Sequence, residues 1–114
     1  MPYIQTKTNI SISKQQAESV KSALGKAISL IPGKSETWLM CEIEGDKNLY
    51  FAGDGETPCA YNEVKIFGNA DKTSCEALTA EICKILNSEL GIAENKIYVK
   101  YEMCSMWGWN GTVL

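Results

Sequence analysis

The stretch PYIQTKTNISISKQQ, residues 2–16, decides the fold, because a strand pattern gives way to a helix start within it. From Pro2 to Ile10 the residues alternate with period two: one set is Tyr3, Gln5, Lys7 and Asn9, and the other is Ile4, Thr6, Thr8 and Ile10. This alternation, with two β-branched threonines, predicts a strand. Ser13-Lys14-Gln15-Gln16 then forms a capping box, in which the Ser13 hydroxyl accepts from the Gln16 amide while the Gln16 side chain reaches back. A strand followed directly by a helix therefore opens the chain.

The rest of the sequence repeats this order. Apolar residues at spacings of three and four continue the first helix to Pro32-Gly33, which ends it. The patterns that follow predict a strand buried on both faces, a short strand, a glycine-rich loop, a third long strand, a helix opened by a second capping box, a last strand and a turn-rich tail. The buried strand is Thr37–Glu44, the short strand is Leu49–Ala52, and the glycine-rich loop is Gly53–Pro58. The third long strand is Ala60–Gly68, and the second helix runs from the capping box Thr73-x-x-Glu76 to Leu90-Gly91. The last strand is Ile97–Met103, and the tail is Trp107–Gly111.

This order predicts an α/β (α+β) fold made of two pseudo-symmetric split β-α-β units. They share one four-stranded mixed sheet with two helices on one face. The two halves show a weak internal repeat, which indicates a duplicated half-domain rather than an array. With 114 residues, 45% of them apolar and 22% charged, the chain is long enough for one domain, residues 1–114, with a core of its own.

Composition excludes several classes of chemistry. Eleven cations against fourteen acids give a net charge of -3, which argues against a nucleic acid or an anionic membrane as partner. The chain has no His, so Ser-His-Asp and Cys-His mechanisms and His-ligated zinc are not available within it. All cations are Lys, so bidentate guanidinium clamps are absent too. An enzyme of this composition takes protons with an amine, a carboxylate, a Tyr or a Cys.

The five cysteines, an odd number without CxxC spacing, are predicted to be reduced thiols. Residues 1–12 lack the apolar core of a signal peptide, and no window approaches the length of a membrane span. These features predict a cytoplasmic protein, with secretion without a signal peptide left open.

Pro2, at the start of the first strand, and Lys34, after the first helix, are candidates for chemistry. A Met followed by a small residue is normally trimmed, so Pro2 would become a free secondary amine, and burial or a nearby Lys would make it a general base near pH 7. The plain alternative is a proline that opens an edge strand. Lys34 follows the first helix, where it can bind a substrate anion or pair with the helix-terminal carbonyls.

Other candidates lie near the carboxyl end. Tyr98 and Lys100 share one face of the last long strand, while Tyr101 points to the other face. Trp107 and Trp109 also share a face, in a core, an oligomer interface or a binding site.

Together, these residues resemble the macrophage migration inhibitory factor (MIF) family of the tautomerase superfamily. The resemblance covers essentially the whole chain. It is carried, in the order and spacing of the family, by Met1-Pro-Tyr-Ile-x-Thr-x-Thr-Asn9, Leu24-Gly-Lys-Ala27, Pro32-Gly-Lys34, Phe51-x-Gly53, Pro58-Cys-Ala60, Glu89-Leu-Gly-Ile92, Ile97-Tyr98 and Trp107-Gly-Trp-Asn-Gly111.

The resemblance implies a homotrimer with a central channel and active sites at subunit interfaces. It also implies keto-enol tautomerisation of phenylpyruvate-like 2-oxo acids and, in some members, of D-dopachrome, with no cofactor or metal. By position, Pro2 would be the catalytic base and Lys34 would hold the substrate carboxylate. Tyr98 would come from the neighbouring subunit, and Phe67 and Trp109 would line the pocket for the aromatic ring.

The chain departs from the family pattern at three places. Cys59-Ala-Tyr-Asn62 lacks the second Cys of Cys-Ala-x-Cys, which argues against thiol oxidoreductase activity. Lys100 stands where members often have Asn, which adds a second, substrate-binding cation at the mouth and would favour a more anionic substrate. The Ser11-Ile12 region lacks the Arg that cytokine members use for receptor contact.

Two other functions remain open from the sequence. The first is a secreted, MIF-like cytokine mimic that binds a host receptor and keeps residual tautomerase activity. The second is a ferredoxin-like small-ligand or regulatory domain in which Pro2 is incidental.

Overall fold

A computed structural model describes all residues, 1–114, and contains one mixed sheet and two long helices. Two short strands pair antiparallel and form a carboxyl-terminal hairpin. The strands and helices are β1 (Pro2–Thr8), α1 (Lys14–Ala27), β2 (Met40–Glu44), β3 (Ala60–Phe67), α2 (Lys72–Leu90), β4 (Ile97–Cys104), β5 (Gly108–Trp109) and β6 (Thr112–Val113). Short 3-10 turns lie at Ile28–Leu30, Glu36–Trp38 and Glu94–Lys96.

The sheet has the strand order β2-β1-β3-β4. β1 runs parallel to β2, and β3 runs parallel to β4, while β1 and β3 pair antiparallel in the centre. Two pseudo-symmetric β-α-β units in one four-stranded mixed sheet are therefore confirmed. The units are not split, however, because the two strands of each unit are direct neighbours. A ferredoxin-like sheet interposes a strand in each unit, so this order argues against that alternative.

One core lies between the sheet and both helices. Alternate residues of the inner strands point into it, as the buried positions of β1 and β3 show. Both helices add an apolar stripe to the same cluster of 16 buried residues, which places them on one face of the sheet. Ile4, Leu24, Val64 and Leu86 are fully buried members of this cluster. The opposite face of the sheet is left to polar and aromatic side chains.

The helix starts follow local hydrogen bonding. The capping box at Ser13 is confirmed, since its hydroxyl accepts from the Gln16 amide at 3.1 Å and the Gln16 side chain accepts from the Ser13 amide at 2.9 Å. The box predicted at Thr73 is wrong. Asp71 caps α2 instead, accepting from the Ser74 amide at 2.8 Å, because Asp is a stronger cap that comes earlier in the chain.

Three other predictions about strands need correction. β2 begins at Met40, because residues 36–38 form a 3-10 turn, and it is an edge strand whose Met40 side chain is 68% exposed. The apolar run therefore belongs to an edge strand and the turn before it, and the prediction of a strand buried on both faces is wrong. Residues 49–52 form no strand, only a bridge between Phe51 and Asp54.

None of the helices is long and apolar enough to cross a membrane.

Candidate functional site

A cleft of about 530 Å³ lies at the amino end of β1. Pro2 is the first residue of an inner strand, paired with Ile66 of β3, so the prediction of an edge strand as its plain alternative is wrong. Proline is tolerated there because it stands at the start of the strand. The wall of the cleft is mainly apolar, and its side chains come from β1, the segment before β2, β3 and the carboxyl-terminal hairpin.

The amino end of the chain is fixed beside β3. The Phe67 amide donates to the Met1 carbonyl at 3.1 Å. Lys34 reaches the same place, where its Nζ donates to the Phe67 carbonyl at 2.8 Å. Gly33, with a φ of 81°, takes the left-handed conformation that turns the chain after α1 and aims Lys34 towards β3. Lys34, Phe67 and the amino end therefore meet at one point.

The electrostatics of this point favour a neutral amine. Burial lowers the pKa of the Met1 α-amine below its ordinary value, because desolvation disfavours the charged form. The positive charge of Lys34 and its hydrogen bond to the amine lower that pKa further. An amine with a lowered pKa is more often uncharged at neutral pH and can accept a proton.

All three tryptophans of the chain line the cleft. The rings of Trp38 and Trp109 meet edge to face, with centroids 5.1 Å apart. Asn110 and Gly111 have φ values of 53° and 78°, which is the geometry of a tight two-residue hairpin turn, and this turn holds Trp109 against Trp38. Aromatic rings in such a cleft can accept the ring of a small aromatic molecule.

Tyr98 and Lys100 lie elsewhere in the single chain. Across the sheet Tyr98 is level with Lys7 of β1, five residues from Pro2, which corresponds to about 17 Å along a strand. The Tyr98 ring packs on Phe51 with centroids 5.2 Å apart. Both predicted residues face away from the helices, as strand alternation requires, but one chain does not bring them to Pro2.

Two lysines next to these residues have clear partners. Lys100 Nζ lies 3.2 Å from Glu102, and the hydrogen bond to that carboxylate raises the pKa of Lys100. Lys96 Nζ stands over the Phe51 ring at 4.9 Å from its centroid. Tyr101 points to the other face, where its hydroxyl donates to the Cys75 carbonyl of α2 at 2.9 Å.

The predicted site residues thus fall into two groups. Pro2 and Trp109 line the cleft, and Lys34 and the Phe67 backbone lie beside Met1 at its edge, whereas the Phe67 side chain is not part of the cleft wall. Tyr98 and Lys100 lie farther along the sheet, level with Lys7 and Gln5 of β1. Trp38, Met40 and Lys65 also line the cleft, together with Trp107, although they are not among the site residues predicted from the sequence. Alternation along β3 places Lys65 on the same face as Phe67 and is the signal that could have found it.

The cysteines are all free, as predicted, and all except the exposed Cys104 are at least partly buried. Burial, followed by the charge of Glu36, raises the pKa of Cys41 to about 11. Burial also raises the pKa of Cys59, and the residue three positions on is Asn62, whose side chain bonds Thr6 and the Tyr98 carbonyl. Raised thiol pKa values disfavour the nucleophilic thiolate.

The architecture defines a class of protein. Two β-α-β units placed side by side, with a proline opening an inner strand next to a lysine and an aromatic cleft, are the features of the tautomerase superfamily.

Comparisons with known proteins agree with this class. A family model described as macrophage migration inhibitory factor (MIF) matches residues 1–114. The chain is 27% identical to macrophage migration inhibitory factor from Xenopus laevis over 114 residues, which covers 98% of this chain and 97% of that protein. The chain belongs to the MIF family.

Solved structures are similar over the same length. MIF2 from Leishmania major has a TM-score of 0.93 and 29% identity, and the match covers 100% of this chain and 97% of that one. The MIF homologue from Prochlorococcus marinus has a TM-score of 0.86 and 26% identity, with 97% of both chains covered.

Proposed function

We propose that this protein is a keto-enol tautomerase of phenylpyruvate-like 2-oxo acids and that Pro2, freed by removal of Met1, is its general base. The observation that carries the proposal is the amino end of β1, where burial and Lys34 lower the pKa of the terminal amine beside an aromatic cleft. A base whose pKa approaches neutrality is suited to removing a proton from carbon next to a carbonyl at pH 7.

Removal of Met1 changes two groups at this point. The Pro2 nitrogen becomes a secondary amine instead of an amide. The Phe67 amide, which donates to the Met1 carbonyl in the unprocessed chain, loses that acceptor and becomes free to donate to a ligand. Lys34 and this amide then offer a cation and a hydrogen-bond donor for the carboxylate of a 2-oxo acid.

The reaction is a balanced isomerisation. Pro2 takes a proton from C3 of the keto acid, the electron pair of that C–H bond forms the C2–C3 double bond, and the C2 carbonyl oxygen becomes an enolate. The protonated Pro2 then returns the proton to this oxygen, which gives the enol. No oxidant, metal or cofactor takes part in this sequence of steps. The ring of the substrate packs against Trp38 and Trp109.

We also propose that the active form is a homotrimer in which Tyr98 and Lys100 of one subunit complete the cleft of the next. Both edge strands, β2 and β4, have open backbone groups in the single chain. Exposed Met40, Tyr98 and Met106 side chains add apolar surface, with Met106 77% exposed. Native mass spectrometry tests this assembly, and a monomer at working concentration would contradict it.

Two altered chains test the base. Enol formation is followed by ultraviolet absorbance in borate, after intact mass has established that Met1 is removed. Replacing Pro2 by Gly, or inserting one alanine before it, should lower turnover at least about 100-fold, because general-base catalysis contributes factors of roughly 10² to 10⁴.

The matched control is Pro58→Gly, which alters another proline that precedes an inner strand. It should retain turnover, since Pro58 lies outside the cleft. Undiminished turnover in both Pro2 variants would show that this nitrogen is not the base.

A further inference from the structure

Lys65 is the charged side chain that lines the cleft. It lies on β3 directly opposite Tyr3 of β1, and its side chain is 40% exposed. Its ammonium group is 3.4 Å from the Glu63 carboxylate on the same strand. No acidic residue belongs to the cleft wall, so Glu63 contacts Lys65 from outside it. Within a single chain, the wall of the cleft therefore presents one lysine among apolar and aromatic side chains.

The mechanism proposed above does not use this cation. Lys34 is directed to the Phe67 carbonyl and the amino end, which is the place of the carboxylate next to the reacting carbonyl. Phenylpyruvate has a single carboxylate, so Lys65 has no partner on that substrate. A cation on an apolar wall loses hydration when a ligand covers it, and an anionic group on the ligand replaces the lost water.

We propose that Lys65 binds a second anionic group of the substrate, so that the cleft takes aromatic 2-oxo acids that carry a further carboxylate at the ring end. The inference rests on the proposed function and names the substrate class of the same site.

A carboxylate suits this position better than a phosphate. One Lys supplies a single point charge, whereas phosphate recognition generally uses several donors from an Arg fork or from a row of backbone amides. The sequence contains no Arg. The three tryptophans lining the cleft match an aromatic ring between the two acidic ends.

Two probes of equal size separate charge from shape. Both are derivatives of phenylpyruvate, with a carboxylate in the para position in one and an uncharged carboxamide in the other. Binding is measured by quenching of tryptophan fluorescence, because all three tryptophans line this cleft and report its occupancy without turnover.

The processed protein should bind the carboxylate probe about fivefold more tightly than the carboxamide, which is the upper range for a partly exposed ion pair. Lys65→Gln should remove this preference, and Lys65→Arg should restore it. Lys7→Gln is the matched control, since Lys7 lies on the same face of the sheet but outside the cleft. Lys7→Gln should keep the preference, and added salt should weaken the preference in all three proteins that show it.

Equal affinity of the original protein for the two probes would overturn the inference. A Lys65→Gln protein that keeps the preference would also overturn it. The same holds if the affinity of Lys65→Gln for both probes falls by the same factor while its circular dichroism is unchanged. If Lys65→Gln does not fold, the Lys65→Met protein takes its place. A preference for the charged probe without any enol formation would contradict the proposed tautomerase activity but support the anion site at Lys65. Enol formation without this preference would support the activity but contradict the anion site.

Discussion

The two halves of the sheet pair their strands in the same way but differ in the residues at the ends of the strands. In β1 and β2, Tyr3 pairs with Met40, and in β3 and β4 Tyr61 pairs with Tyr98 at the same sequence separation. The inner strands even repeat one pattern, since Tyr3, Gln5 and Lys7 correspond to Tyr61, Glu63 and Lys65. The same pattern of strand pairing therefore occurs twice in the sheet.

The ends of the strands show where the halves diverged. β1 begins with Pro2 next to Lys34 and the tryptophans, whereas β3 begins with Ala60. At the position equivalent to Met40 the second half has Tyr98, which packs on Phe51. A few residues at strand ends therefore separate a half with a cleft from a half with an aromatic cluster, and each half can be tested against the other.

The largest difference concerns the core. Ile4 and Asn62 hold equivalent positions in the two inner strands, and both are fully buried. Asn62 accepts from the Thr6 hydroxyl at 2.6 Å and donates to the Tyr98 carbonyl at 3.0 Å. Asn62→Ala should lower the free energy of unfolding by about 3 kcal/mol, because it opens a cavity and leaves buried polar groups without partners.

Urea unfolding measures this loss at a fixed protein concentration. Ile4→Val serves as the control in the other half and should cost about 1 kcal/mol. If Asn62→Ala costs no more than Ile4→Val, the buried amide does not hold the second half together.

A smaller effect is expected from the aromatic pairs at the two ends. Trp38 with Trp109 should show a coupling energy of about 1 kcal/mol in a double-mutant cycle with leucine, beyond the effect of buried area. Phe51 with Tyr98 should show a similar value, and Lys96→Gln should lower stability by a further ~0.5 kcal/mol through the lost cation–π contact. Unfolding free energies of single and double variants give both couplings; additive effects at either end would contradict a direct ring contact there.

The smallest expected effect concerns the amino end. In a chain that retains Met1, Lys34→Gln should raise the pKa of the α-amine towards its ordinary value, because the nearby cation no longer opposes protonation. Burial remains in that variant, so the pKa stays below the ordinary value. The amine should then be more protonated at neutral pH and react more slowly with an acylating reagent.

The rate of acylation as a function of pH, read by mass spectrometry, reports this change. Its midpoint should move to higher pH in Lys34→Gln and stay in place in Lys96→Gln, which removes a cation at the opposite end. A midpoint that is unchanged in Lys34→Gln would mean that burial alone sets the pKa.

Most of the fold could be predicted from local patterns. The alternation in β1 and β3, the box at Ser13 and the stop at Gly91 are signals within a few residues, and the sheet and helices follow from them. β2 differs from the prediction because an apolar run does not reveal what packs on the two faces of a strand or where the strand lies in the sheet. Residues 49–52 favour a strand by residue type but lack a partner strand, and only tertiary contacts decide that.

The site was harder to predict than the fold. Pro2, Lys34 and Trp109 stand out by position; Pro2 and Trp109 line one cleft, and Lys34 reaches the amino end of the chain beside it. Lys65 does not stand out, because an ordinary Lys in an alternating strand is typical of a solvated face, and only the turn of the hairpin that brings Trp109 near shows that this part of the face is covered. Tyr98 and Pro2 lie far apart in the single chain, and only the proposed trimer would bring them together.

Both ends of the chain lie near the same cleft, since Met1 lines it and Leu114 bonds to Trp107, which also lines it. Met1 lies against β3, and Leu114 closes the hairpin by donating its amide to the Trp107 carbonyl at 2.9 Å. A purification handle fused to either end would thus start within or beside the binding surface, and even a short cleavage scar at the front would acylate the prolyl nitrogen. An internal labelling point in an exposed helix turn is the safer choice for anyone who wants to immobilise this protein and keep it working.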